Sequence, residues 1–233
     1  MSHAVLADLQ KLANPEDAVF LQRFFKTAPG QYGAGDQFLG IRVPALRTLA
    51  RAHAGLSLRD MIELLRSPLH EARLLALIIL VNAYKKADDK ERDAIYRSYL
   101  ANTRFINNWD LVDASAPEIV GRHLAEGSRA ELTRLARSSS LWERRIAIIA
   151  TFHFIRQNDY ADTLRIARLL LKDEHDLIHK AVGWMLREVG KRDHAVEESF
   201  LARYYKQMPR TMLRYAIERF PEQRRLQYLH GAL

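Results

Sequence analysis

The segment RFINNWDLVDASAPEIVG, residues 104–121, places one carboxylate and one tryptophan a helical turn apart. Trp109 and Asp113 are separated by four positions, so their side chains share one face of a helix. In an active site a carboxylate stabilises developing positive charge and can orient a water molecule. Trp109 could equally be a core aromatic residue and Asp113 a solvated helix acid, and the spacing alone leaves both interpretations open.

The same segment carries signals for a break in its helix. Ser115 and Glu118 have the S-x-x-E spacing of a capping box, and Pro117 lies between them. Proline removes a backbone donor and kinks a helix. We therefore expect the chain to be re-capped and kinked here, which would fix the direction in which Asp113 projects.

Two later segments each combine a tryptophan with cations on one helix: Trp142 with Arg144 and Arg145, and Trp184 with Lys180 and Arg187. The apolar residues around the arginine pair predict that one of the two arginines is left free to face a ligand. Arginine and lysine neutralise phosphates, and tryptophan packs on sugars or bases, so the pattern is typical of DNA binding. A carboxylate among such cations would repel phosphates, which favours a catalytic role for it.

Helix start signals recur along the chain and position these groups. Capping residues stand at Asn14, Ser57, Asp88 or Asp89, and Ser140, each before a segment of helical periodicity. The second helix of each predicted pair begins near Leu69, Asn108, Leu141, His175 and Arg210. These starts are roughly 33 to 39 residues apart, the period of helical-pair repeats.

The pattern predicts an all-α fold and no strands. We expect a single domain over residues 1–233, a right-handed α-solenoid of about six helix pairs of the HEAT-like or ARM type. The second helices would line a concave basic face. An irregular helical bundle is the alternative, since the residues of successive repeats are not alike.

The composition indicates the chemical class of the binding partner. The formal net charge is +8 and the pI is near 9.8, which favours a polyanionic partner. Cysteine is absent, and His175 and His179, with only Asp173, Glu174 and Asp176 nearby, are better interpreted as surface histidines than as a metal site, so we expect no metal and no cofactor. No leader or membrane-spanning segment is evident, which predicts a cytoplasmic protein and, by default, a monomer.

Two further regions leave their role open. The glycine-containing loop from Thr27 to Val43 is either a connector against the N-terminal repeat or a DNA contact. A C-terminal set of cations is either a phosphate-binding flank or a solvated face: Arg203, Lys206, Arg210, Arg214, Arg219, Arg224 and Arg225.

The motifs NNWDLVDASAP, LWERRIAI and KAVGWMLRE, in that order, resemble the AlkD-type DNA alkylation-repair family of HEAT-like-repeat DNA glycosylases. The resemblance implies that the protein excises positively charged N3- and N7-alkylated purines from duplex DNA. It implies that Asp113 is the catalytic carboxylate, that Trp109 and Trp184 flank the sugar of the lesion, and that Arg145 grips the backbone. An N-terminal aromatic contact falls at Phe24, where the family pattern has tyrosine, so a hydroxyl is missing.

The implied chemistry needs few residues. An alkylated purine that already carries positive charge leaves without a general acid, and the barrier lies in an oxocarbenium-like sugar. A carboxylate near C1′ stabilises that charge. The rival is a non-catalytic solenoid that recognises damaged or branched DNA by shape, although such a protein gains nothing from Asp113. A scaffold that holds an acidic peptide is a second rival.

Overall fold

The structure is a computed structural model that describes residues 2–232, and side chains from residue 4 onward. Across those residues it is all-helical, with one isolated β-bridge between Gln37 and Leu69, so the predicted all-α class is confirmed. The helices are α1 (Ser2–Lys11), α2 (Pro15–Phe24), α3 (Val43–Ala52), α4 (Leu58–Leu65), α5 (His70–Lys86), α6 (Asp89–Ala101), α7 (Trp109–Ala116), α8 (Ala130–Ala136), α9 (Leu141–Ala150), α10 (Phe152–Ile155), α11 (Ala161–Leu169), α12 (Asp176–Gly190), α13 (His194–Tyr204), α14 (Arg210–Ala216) and α15 (Glu222–His230). None of these helices is both long and apolar enough to cross a membrane.

The chain divides into two compact units, Met1–Ile119 and Val120–Leu233. The single domain, the right-handed curvature and the concave face expected from the sequence stay predictions. Trp109 and Asp113 belong to the first unit, and the other two predicted motifs belong to the second.

The predicted second helices begin at or next to the expected residues. They start at His70, Trp109, Leu141, Asp176 and Arg210. The capping predictions are also confirmed, since the side chains of Asn14, Ser57, Asp88 and Ser140 each accept a hydrogen bond from a backbone N–H in the first helical turn.

In the first unit the core is built around α5. The sequence LLALIILV is apolar on all sides, and the residues from Leu74 to Leu77 are at most 5% exposed. Helices α3, α4 and α7 pack against α5. The packing against α5 therefore fixes the place of α7, the helix that carries Trp109 and Asp113.

In the second unit α12 is the central helix, with α9 and α14 packed against it. Gly183 permits a close approach, because a Cβ at this position would lie 2.4 Å from the carbonyl oxygen of Met212 on α14. Helices α11 and α13 also contact α12. The residue after Gly183 is Trp184, so this packing sets its position.

The predicted capping box in residues 115–118 is wrong, although the helix does change there. The hydroxyl of Ser115 is buried and donates to the carbonyl oxygen of Leu111, and the carboxylate of Glu118 pairs with Lys85 at 3.0 Å. The chain continues past Pro117 as a π-helical segment, Pro117–Gly121. Because the helix continues through Pro117 as a π-helical turn, no new helix start forms at Ser115.

Candidate functional site

Helix α7 carries the two residues that the sequence singled out. Asn108 caps it, since its Oδ1 accepts from the N–H of Trp109 at 2.8 Å. The side chains of Trp109 and Asp113 are both partly exposed, which leaves open the alternatives of a core aromatic residue and a solvated helix acid. Burial raises the pKa of the buried Tyr99 phenol well above its usual range, and the carboxylate of Asp113 raises it further.

Trp109 is part of an aromatic cluster that reaches the surface. Its ring stacks on Phe25, with centroids 5.2 Å apart and planes inclined at 19°, and Phe24 meets it edge-on at 6.0 Å. Phe25 is buried, whereas Phe24 and its stacking neighbour Phe20 are 53% and 54% exposed. Phe24 therefore lies beside Trp109 with half of its surface open to a ligand, as a DNA contact requires.

A buried polar cluster lies behind Trp109. The two ring nitrogens of His70 face two carboxylates, Nε2 at 2.8 Å from Oδ2 of Asp110 and Nδ1 at 3.2 Å from Oδ2 of Asp36. Asp36 also accepts from Arg73 at 2.7 Å and from Asn108 at 3.2 Å. Burial alone would lower the pKa of His70, but the two carboxylates override that effect and raise the pKa to about 9.

The carboxylate of Glu71 on α5 anchors the loop from Thr27 to Val43. Glu71 is buried and accepts from the backbone N–H groups of Leu39, Gly40 and Ile41, at 2.8–3.2 Å. Gly40 has a φ of +83°, and a Cβ there would lie 2.0 Å from the carbonyl oxygen of Asn14. These are the contacts of a connector packed against the N-terminal helices, the first of the two interpretations offered by the sequence.

A cleft of about 500 Å³ lies along the next face of α7. Its floor is apolar, with Leu74, Ile78 and Val81 from α5. Three cations and two carboxylates line its edges: Arg47, Arg51, Lys85, Asp110 and Glu118. The side chains of Arg47 and Arg51 are exposed, so this edge of the cleft offers positive charge to an anion.

In the second unit the expectation of one free arginine on α9 is wrong. Arg144 pairs with Asp173 at 2.6 Å, and Arg145, only 4% exposed, donates from Nη1 to the carbonyl oxygen of Leu177 at 2.5 Å. Both guanidinium groups thus have partners in the neighbouring repeat, because a buried cation is stable only when it is paired.

The α12 residues are paired in the same manner. Trp184 is partly exposed, donates from Nε1 to Glu188 at 2.9 Å, and lies 5.9 Å from the ring of Phe152. Lys180 pairs with Asp176 at 2.7 Å, and Arg187 pairs with Glu218. Lys180 and Arg187 flank Trp184 on α12 as predicted, but each cation is already partly neutralised.

The C-terminal cations are mostly at the surface. Arg203, Lys206, Arg210, Arg214 and Arg219 are exposed, and Arg224 pairs with Glu198 at 2.7 Å. This arrangement fits both a phosphate-binding flank and a solvated face, the two interpretations of the C-terminal cations. Across the described residues, no three His, Asp or Glu side chains are grouped closely enough to hold a metal ion.

Sequence reasoning missed the cluster of Asp36, His70, Arg73 and Asp110. A signal was present, because HEAR opens a helix that is otherwise apolar, and charged residues at buried helix positions are paired when they occur. The partner Asp36 lies 34 residues before His70 in a loop, and no local pattern connects the two.

Comparison with known proteins identifies the family. The sequence profile of the family described as "DNA alkylation repair enzyme" matches residues 5–220. No curated protein matches the chain. Among solved structures, a predicted DNA alkylation repair enzyme from Enterococcus faecalis is similar, with a TM-score of 0.69 and 17% identity over 90% of this chain and 97% of that chain. The family match covers most of the sequence, and the chain therefore belongs to the DNA alkylation repair enzymes.

Proposed function

We propose that this protein is a monofunctional DNA glycosylase that hydrolyses the N-glycosidic bond of positively charged N3- and N7-alkylated purines in duplex DNA. The observation that carries the proposal is the position of Asp113. Its carboxylate is partly exposed one helical turn after Trp109, on a helix whose first turn is held by the His70–Asp110 pair and by the Asn108 cap. Family membership supports a role in the repair of alkylation damage.

In the proposed reaction the bond between C1′ and the purine nitrogen breaks, and the bonding electrons leave with the base. Those electrons neutralise the positive charge of the alkylated ring, so no proton has to be delivered to the base. The sugar becomes oxocarbenium-like, and the Asp113 carboxylate stabilises it electrostatically. A water oxygen then bonds to C1′, and the water proton passes to Asp113 or to solvent.

The other residues hold the DNA. Phe24 and Trp109 supply aromatic surface for sugar and base, and their exposed edges support this role. In the second unit Trp184 supplies aromatic surface, with Arg144, Arg145, Lys180 and Arg187 as backbone contacts. Arg144, Lys180 and Arg187 are paired with carboxylates, which a phosphate must share or replace, whereas a phosphate at the buried Arg145 must displace the carbonyl oxygen of Leu177. We expect the carboxylates Asp173, Asp176 and Glu218 to weaken DNA binding.

The decisive experiment compares wild type with Asp113→Asn on a duplex that contains one 7-methylguanine. Base release is measured under single-turnover conditions, and DNA affinity is measured by fluorescence anisotropy. We expect release to slow by about 100-fold or more, which is typical when one preorganised electrostatic group is lost. Binding should stay equal or tighten, because an anion near phosphates is removed.

Asp89→Asn is the matched control, since Asp89 is an almost fully exposed carboxylate on α6. It should leave both release and affinity unchanged. If wild type and Asp113→Asn bind the duplex equally well and neither releases base, the protein recognises damage by shape and the glycosylase proposal is wrong.

A further inference from the structure

The cluster of Asp36, His70 and Asp110 contains a doubly protonated imidazole. Both ring nitrogens of His70 lie within hydrogen-bond distance of carboxylate oxygens, at 2.8 and 3.2 Å. An ionised carboxylate only accepts hydrogen bonds, so each nitrogen has to donate. A neutral imidazole has one N–H, so its other nitrogen would present a lone pair to a carboxylate oxygen.

The charges of the cluster balance only in that state. Asp36 and Asp110 supply two negative charges, and Arg73 supplies one positive charge through its bond to Asp36. The imidazolium supplies the second positive charge. Asp36, His70 and Arg73 are at most 8% exposed, and an uncompensated charge at that depth is strongly unfavourable.

The cluster joins three parts of the first unit. Asp36 comes from the loop before α3, His70 and Arg73 come from the first turn of α5, and Asp110 comes from the first turn of α7. Asn108, the cap of α7, also donates to Asp36. The start of α7 is therefore bonded twice to one buried carboxylate, directly through Asn108 and indirectly through His70.

Asp110 depends on His70 for its orientation. Its other oxygen, Oδ1, is buried and has no hydrogen-bond partner among the described residues. The bond from His70 is thus the hydrogen bond that holds this side chain. Asp110 is next to Trp109 and three residues before Asp113 on the same short helix, so a rotation of the first turn would move both of them.

We propose that His70 is a positioning residue: its imidazolium, clamped between Asp36 and Asp110, fixes the first turn of α7 and with it the directions of Trp109 and Asp113. The inference rests on the proposed function for its catalytic consequence, because His70 would affect base release only through α7. Its structural consequence, the rigidity of α7, is independent of any activity.

The test measures hydrogen exchange of α7 by mass spectrometry together with single-turnover base release and DNA affinity. The variants are His70→Gln, Asp110→Asn and the double variant. The control is His53→Gln, which breaks another histidine–aspartate pair of the same unit, His53 with Asp8, away from α7. Asp110 is more exposed than His70, so Asp110→Asn is the variant to use if His70→Gln fails to fold.

We expect His70→Gln and Asp110→Asn to speed exchange in residues 109–116 by tenfold or more and to slow base release by a similar factor. Affinity should also fall, because Trp109 lies in the loosened turn. The double variant should be no worse than His70→Gln, because the two residues act through one bond. His53→Gln should change none of these quantities.

Unchanged exchange of α7 in both single variants would overturn the proposal, even if wild type releases base. Faster exchange of α7 in a protein that releases no base would leave the positioning role standing and would refute the glycosylase instead. An additive double variant would show that His70 and Asp110 act separately, which also contradicts the clamp.

Discussion

The ring of Phe25 stacks on the ring of Trp109, with centroids 5.2 Å apart, and its neighbour Phe24 touches the same tryptophan edge-on from the solvent side. Two adjacent phenylalanines thus have opposite roles. Phe25 is 7% exposed and supports Trp109 from the core, whereas Phe24 is 53% exposed and presents its ring to the surface.

Alanine at these two positions should separate stability from binding. Phe25→Ala removes a buried ring and should lower the free energy of unfolding by about 3–5 kcal/mol. Phe24→Ala should cost less than about 1 kcal/mol in stability and weaken binding of alkylated duplex, since base or sugar contact with an aromatic side chain is worth about 1–3 kcal/mol. Urea unfolding and fluorescence anisotropy measure the two effects.

Phe24→Tyr adds the hydroxyl that the sequence resemblance implies for this position and serves as the companion variant. It should fold like wild type, because the ring edge is open to solvent. Equal DNA affinity for Phe24→Ala and wild type would contradict the assignment of Phe24 to the interface.

Removing the charge of Lys180 should change DNA binding, whereas removing the charge of Arg144 should change the stability of the fold. Lys180 is 38% exposed and can move from Asp176 to a phosphate, so Lys180→Ala should reduce the slope of log affinity against log salt by about 0.9. Arg144→Ala leaves the carboxylate of Asp173, only 6% exposed, without its cation, and should destabilise the fold by about 1–3 kcal/mol.

Asp176→Asn is the complement of Lys180→Ala, because it frees the lysine instead of removing it. It should tighten DNA binding at low salt. A salt slope that is the same in wild type and Lys180→Ala would exclude a phosphate contact at this residue.

Three features could be predicted because they depend on local spacing. They are the all-α class, the helix starts, and the placement of Trp109 and Asp113 on one helix. Asn14, Ser57 and Asp88 cap their helices through contacts within one turn, so each cap can be recognised from residues that are close in sequence. The state of Arg145 could not be predicted, since its partner is the carbonyl oxygen of Leu177 in the next repeat.

The polar cluster at His70 likewise has one feature that the sequence indicates and partners that it does not indicate. The letters HEAR at the head of an apolar helix mark a buried polar site, but neither their spacing nor their composition indicates Asp36 or Asp110 as partners. Long-range pairing of charges depends on how the helices pack, and the spacing of apolar residues along the chain does not predict that packing.

Glu197 should make the fold less stable as the pH rises. Burial raises its pKa to about 8 from an ordinary value of 4.5, although Arg187 opposes the shift and Glu198 adds to it. A carboxyl with a raised pKa is protonated in the folded state, so its contribution is complete below pH 4.5 and is lost as the pH rises through about 8.

Glu197→Gln removes this ionisation. Relative to wild type, its free energy of unfolding should increase between pH 5 and 8 by at most about 1.4 kcal/mol per pH unit. His70, whose pKa is raised from 6.5 to about 9, also loses stabilisation as the pH rises from 6.5 through about 9, but it does so equally in both proteins and cancels in the comparison. Parallel pH profiles of the two proteins would show that Glu197 is already ionised near neutral pH.

Gly183→Ala should reverse the usual effect of this substitution. Alanine in the middle of a helix normally stabilises it by about 1 kcal/mol relative to glycine. At Gly183 the new Cβ would lie 2.4 Å from the carbonyl oxygen of Met212 and 2.5 Å from Cβ of Tyr215, so α12 and α14 would have to separate. We expect a net loss of about 1–3 kcal/mol in thermal or urea unfolding, as for other overpacked contacts.

The matched control is Gly55→Ala, because a Cβ at Gly55 meets no atom within 4 Å. It should be neutral or stabilise the protein by up to about 1 kcal/mol. Since Trp184 follows Gly183 directly, separation of the two helices should also shift its indole and lower the affinity for alkylated duplex. If Gly183→Ala is as stable as Gly55→Ala and binds DNA like wild type, α12 and α14 do not pack through this glycine, and the position assigned to Trp184 is wrong with it.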